Sequence, residues 1–195
     1  MKVLFVNNQH VNYNQEFYHE MAFNLLSKNN INSDFLFWRE EDIIYEKRYR
    51  VFQSNYFSFE KFYKMQKRKK VVNLNLFLNE FSGINWSQLA SSERSFSDYS
   101  MLLGSSGNRN EKIEYVQNLI INISYFVKKH LKGKTCVICQ QADTLFSHIL
   151  IKIAQIKSIK VFVIVPASLC GGKNGAGFYA YNEFLHSIKM RKNYE

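Results

Sequence analysis

A single proline and eight glycines in 195 residues leave no room for Pro-rich or Gly-rich linkers. Three cysteines, an odd number without framework spacing, exclude a disulfide-stapled scaffold. No apolar run approaches the roughly eighteen residues of a membrane span, and Met1-Lys2-Val3-Leu4-Phe5-Val6 is too short for a signal-peptide core, so a cytoplasmic location is expected. Acidic side chains are outnumbered 16 to 26, for a formal net charge of +10. What is present is apolar: 46% hydrophobic and 16% aromatic residues exclude a disordered chain. A chain of this length buries about 70% of its unfolded surface.

The strongest pattern occurs three times. Val3–Val6 runs into Asn7, Asn8, Gln9 and His10; Cys136–Cys139 runs into Gln140, Gln141, Asp143 and Thr144; Val161–Val165 runs into Pro166, Ala167, Ser168 and two glycines. Short uninterrupted apolar runs indicate strands buried on both faces, as in a parallel sheet covered by helices. Ligands of open parallel sheets bind beyond the carboxyl ends of the strands, so these polar clusters are the first candidates for chemistry.

Between the runs, Asn14–Lys28 carries Phe17, Met21 and Leu25 at helical spacing, and Asp34–Trp38 reads as a second strand. This βαβ opening predicts a right-handed crossover. Glu40–Lys70 repeats aromatic residues near helical spacing, suggesting one or two helices, whereas Val71–Phe81 fits a strand or a helix. Asn110–Leu131 is a long amphipathic helix. After it come a strand at Thr135–Cys139, a helix over Asp143–Ile156 and a strand at Lys160–Val165. Gly171–Gly177 reads as a loop and Asn182–Tyr194 as a final helix.

Candidate chemistry follows from position. The loop Asn7–Asn14 holds no glycine, and neither G-x-G-x-x-G nor the P-loop pattern occurs, which disfavours nicotinamide dehydrogenases and P-loop enzymes. Asn7 and Asn8 can bond sugar hydroxyls, and His10 can act as a general base, the plain alternative being a surface histidine. Glu93-Arg94 with Asp98 is either a substrate-orienting pair or a structural ion pair. Asp143 reads as a helix N-cap, leaving Gln140 and Gln141 to face the crevice. Cys136 and Cys139, three apart on a strand, point to opposite faces and read as buried thiols. No metal and no cofactor is expected.

Charge is unevenly placed. Residues 1–46 carry three basic and seven acidic side chains, and residues 47–70 carry nine basic and one acidic. Within the latter, the run Lys61–Lys70 mixes the basic residues Lys61, Lys64, Lys67, Arg68, Lys69 and Lys70 with the aromatics Phe62 and Tyr63. Contact with anionic lipid, contact with nucleic-acid phosphates and a merely solvated face all remain open. The nucleic-acid reading lacks any recognition motif to accompany it.

The segment order resembles the amino-terminal half of two-domain, GT-B type glycosyltransferases of bacterial capsule and surface-polysaccharide synthesis. The likeness is carried by Met1–Asn8, Ser92-Glu93-Arg94-Ser95-Phe96-Ser97-Asp98-Tyr99, Gln140–Thr144, Val165-Pro166-Ala167-Ser168 and Gly177–Phe184. It implies a single Rossmann-like domain over 1–195, three-layer α/β/α with a mainly parallel sheet. A basic, aromatic-rich helical insertion is expected around residues 40–70, extending to 81. It further implies an acceptor-binding role lying against the membrane, with a lipid-linked or polysaccharide acceptor. The nucleotide-sugar donor would be held by a separate or missing carboxyl-terminal domain, without which this chain is expected to be inactive. His10 or Glu93 would be the base; Asn7, Asn8, Arg94, Asp98, Gln140, Gln141 and Ser168 would bind substrate. The competing reading is a non-catalytic basic Rossmann-like module docking on membrane or protein.

Overall fold

The computed structural model describes residues 2–7, 24, 31–43, 55–66, 73–91, 109–140, 144–166 and 176–180. In chain order the elements are β1 (Lys2–Asn7), β2 (Asn32–Phe37), β3 (Asn55–Ser58), α1 (Phe59–Gln66), α2 (Leu74–Glu80), α3 (Trp86–Ser91), α4 (Arg109–Leu131), β4 (Cys136–Gln140), α5 (Leu145–Ile156), β5 (Lys160–Pro166) and β6 (Ala176–Ala180). They form one sheet in the order β3-β2-β1-β4-β5-β6. β1 to β5 are parallel and β6 runs antiparallel to β5. This is a Rossmann-like α/β fold with a mainly parallel sheet, the class the apolar runs predict.

The strands are apolar on both sides because both sides are buried. Leu4, Val6, Leu36, Val137, Cys139, Val161 and Val163 join the core beneath the helices. Val3, Phe5, Phe35, Phe37, Cys136 and Ile138 form a second buried cluster on the opposite face. The period of two thus sends Cys136 and Cys139 to opposite faces. Burial pushes their thiols up to about 11 and about 12, so both stay protonated packing groups. On the second face, parallel register places Phe5 beside Phe35 and Phe35 beside Tyr56. Their rings stack at 5.1 and 5.3 Å, a cross-strand ladder that reinforces this register.

On the helical side, α4 contributes Leu119, Ile123, Phe126, Val127 and Leu131, and α5 contributes Leu145, Phe146, Ile149, Leu150 and Ile153. α4 ends where Gly133 takes φ 73°, a left-handed conformation that glycine adopts without steric cost, and the chain turns into β4. α5 is capped by Thr144, whose hydroxyl accepts from the Ser147 N–H at 3.2 Å while the Ser147 hydroxyl accepts from the Thr144 N–H at 3.1 Å. The cap is therefore Thr144, one residue beyond the expected Asp143. Thr144→Ala removes the hydroxyl that accepts from the Ser147 N–H, leaving the backbone half of the capping box, and is expected to cost about 1 kcal/mol. Urea titration will show it as a lower midpoint at unchanged slope; a midpoint equal to wild type would assign the capping no energetic role.

Two further segments differ from their sequence readings, and a third, open between strand and helix, is a helix. The stretch 40–70, expected to be a helical insertion, contains a strand: β3 extends the sheet at the edge of β2, and α1 follows it directly. Its aromatics sit at spacings that serve a strand-to-helix junction as well as a continuous helix. The ambiguous Val71–Phe81 stretch holds α2, capped by Asn73, whose side chain accepts from the Asn75 and Leu76 N–H groups. Phe77 alone of α2 is buried, while Leu74, Leu76 and Leu78 are exposed, so their alternation reports neither a strand nor a core face. β6 begins inside the segment read as a loop; its alanines and glycine carry little strand propensity, and pairing with β5 decides its state.

Candidate functional site at the carboxyl rim of the sheet

Strand order reverses beside β1: the chain proceeds outward through β2 and β3, then returns to place β4 on the other side of β1. This is a topological switch point, where loops leaving two neighbouring strands diverge and open a crevice. Val6 pairs with Cys139 across β1 and β4, so the next residues, Asn7 and Gln140, end adjacent strands at one edge. β5 lies beside β4 in parallel and ends at Pro166 on that same edge. Three of the polar clusters picked out by sequence thus start from neighbouring strand ends. Asn7 is buried at 5% exposure, and its carbonyl accepts from the Trp38 N–H at 3.2 Å, which ties the end of β1 to the residue following β2.

Asn7 and the backbone of Gln140 are the described members of the predicted substrate set. Asn8, His10, Glu93, Arg94, Asp98, Gln141 and Ser168 lie outside the described residues, as do Asp143 and the basic residues Lys67, Arg68, Lys69 and Lys70. Glu93 follows α3 by two residues, and α3 packs against α5, the helix that leaves the β4 end of the crevice.

The other half of the rim carries charge. Ser58, closing β3, accepts from the Lys61 N–H at 3.2 Å and starts α1. Phe59 and Tyr63 face the core, so Lys61, Lys64 and Met65 face outward. Glu60 is the organising group: its carboxylate accepts from the Glu40 N–H at 2.9 Å and pairs with Lys64 at 2.6 Å. Burial alone would raise the Glu60 carboxyl, but the Glu40 N–H and the Lys64 ammonium outweigh it and hold the group below its usual range. The Glu60 bond correspondingly raises Lys64. Lys61 lies 3.7 Å from the Glu40 carboxylate. A cavity of about 460 Å³ lies here, lined by Glu40, Lys61, Lys64 and Met65. Both described members of the predicted anion-binding set are therefore exposed and partnered by acids. Sequence reasoning passed over Glu40 and Glu60, although the acidic surplus before residue 47 was a signal that the basic segment had partners nearby.

A second titratable cluster, also unforeseen, lies away from this rim. Asp34 of β2 is paired with Lys134 and accepts from Asn55 Nδ2 at 2.9 Å. Burial pushes the Asp34 carboxyl up, and the two partners together more than reverse it, leaving it below its ordinary value. Near them, the His130 ring lies 4.1 Å from Phe57 and 4.6 Å from Phe126. Burial, with the Lys129 and Lys134 charges, lowers its imidazole to about 4.

The fold defines a class: a Rossmann-like α/β domain with a topological switch point between β1 and β4 and, in the sequence over residues 8–14, no glycine with which to cradle a diphosphate. No family model matches the chain, and neither a curated protein nor a solved structure does. Among the described residues, no helix is long and apolar enough to cross a membrane.

Proposed function

We propose that this chain is the acceptor-binding half of a glycosyltransferase of bacterial surface-polysaccharide synthesis. The observation that carries this reading is the switch point between β1 and β4, at which two residues picked for sugar binding, Asn7 and Gln140, end adjacent strands. Amide side chains both donate and accept, which suits vicinal hydroxyls. The glycine-free turn after β1 is poorly suited to a diphosphate, consistent with a donor held by a second domain or chain. In this reading His10, three residues past Asn7, or Glu93 deprotonates the acceptor hydroxyl. Arg94 and Gln141 position the acceptor, with Asn8, Asp98 and Ser168 completing its polar surroundings. Contact of the basic segment with a membrane belongs to the same proposal.

The test is direct binding. Titration of the full chain with oligosaccharides, followed by ligand-observed NMR, is expected to show association. Arg94→Ala and Gln141→Ala should each weaken it by about tenfold. A folded chain that binds no saccharide, or variants that bind as wild type does, would remove the reading.

A further inference from the structure

We propose that the cleft beyond β2 and β3 is a receptor for an anionic sugar, a saccharide bearing a carboxylate or phosphate, with Lys61 as the ammonium that receives the charge. The sugar part rests on the acceptor reading above; the preference for an anion rests on the cleft itself.

Position is the first argument. Glu40 follows the end of β2 by three residues and α1 starts directly after β3, so the cleft occupies the same strand-end rim as the crevice. The bond from the Trp38 N–H to the Asn7 carbonyl joins the two halves of that rim. Its volume, about 460 Å³, falls within the roughly 300–1,000 Å³ of small-ligand sites.

The second argument is that the two lysines are held unequally. Lys64 is committed: its 2.6 Å partner Glu60 is 21% exposed and is itself anchored by the Glu40 N–H. Lys61 is not. It stands 3.7 Å from Glu40, with the two side chains 64% and 43% exposed, a loose pair that solvent screens. A ligand carboxylate or phosphate can take the place of Glu40, forming a shorter charge-assisted bond to the ammonium while the Glu40 carboxylate turns to water. Met65, 65% exposed on the same face, supplies apolar surface for the carbon side of a sugar ring.

The experiment is a calorimetric titration of the full chain with glucuronate, glucose 1-phosphate, glucose and inorganic phosphate. Both anionic sugars should bind more tightly than glucose and than inorganic phosphate. Lys61→Gln should weaken them by about tenfold without changing glucose. Glu40→Gln, which removes the competing carboxylate, should strengthen them by about threefold. Equal affinity for charged and neutral sugars, unaltered binding in Lys61→Gln, or no gain in Glu40→Gln would each overturn the proposal. So would inorganic phosphate binding as tightly as glucose 1-phosphate, since that describes a generic cationic patch. Saccharide binding that persists without anion preference defeats this proposal alone, whereas absence of all saccharide binding defeats the acceptor reading.

Discussion

Phe59→Ala is expected to lower the unfolding free energy by about 3–5 kcal/mol, the largest effect of any single truncation considered. Phe59 is 1% exposed, and its ring centroid lies 4.7 Å from Trp38, 5.6 Å from Phe126, 5.7 Å from Tyr63 and 5.9 Å from Phe146. Those neighbours belong to α1 itself, to α4, to α5 and to the residue after β2, so one side chain closes four parts of the fold. Truncation removes the transfer energy of the ring and leaves a cavity that stiff aromatic neighbours fill poorly. Because domains of this size are stable by only about 5–15 kcal/mol, the variant should lose about a fifth of its stability or more. Phe59→Leu, which retains more volume, should lose less. Urea unfolding of both variants is the check; a loss below about 1 kcal/mol in Phe59→Ala would show that α1 is not docked through this ring.

Acidification is expected to remove about 2 kcal/mol through His130, after allowance for solvent screening of a partly buried ring. In the folded chain the imidazole is lowered from 6.5 to about 4, first by burial and then by Lys129 and Lys134, with Asp34 opposing. Between those values the unfolded chain binds a proton that the folded chain refuses. Stability therefore falls as pH drops from about 6.5 to about 4 and, for this group, levels off below. Asp34 acts in a lower window: its folded value is depressed, so its contribution is present above about 3.8 and is lost as pH falls through the folded value. His130→Phe keeps a ring between Phe57 and Phe126 and removes the titration. Stability curves at pH 7 and pH 4.5 should differ strongly for wild type and far less for His130→Phe. Equal pH slopes would mean that the imidazole is already hydrated in the folded state.

Most strands and helices were legible because burial writes a local signature. Val3–Val6, Cys136–Cys139 and Val161–Val163 are continuous apolar stretches because both faces of the sheet are covered, and α4 and α5 announce themselves by helical period. Where a signature was weak, the reading drifted. β3 is four residues of a longer aromatic stretch, and β6 is built from alanine, glycine and two aromatics, so partners and not propensity set their state. The candidate site divides the same way. Asn7 and Gln140 could be named from their place after apolar runs, but their adjacency needed the strand order. Glu60 with Lys64 is an i,i+4 pair that helical spacing makes visible, whereas the place of Glu40 against Lys61 needed the fold.

The amino-acid order by itself determined the α/β class, the two-sided burial of β1 and β4, and the inert character of Cys136 and Cys139. Tertiary structure alone decided that β4 lies beside β1, that Lys134 pairs with Asp34, and that Glu40 stands against Lys61. The reason is physical: hydrophobic period is imposed residue by residue along an element. Pairing between groups twenty or a hundred positions apart depends on which loops close and which faces dock, and no local pattern encodes that choice.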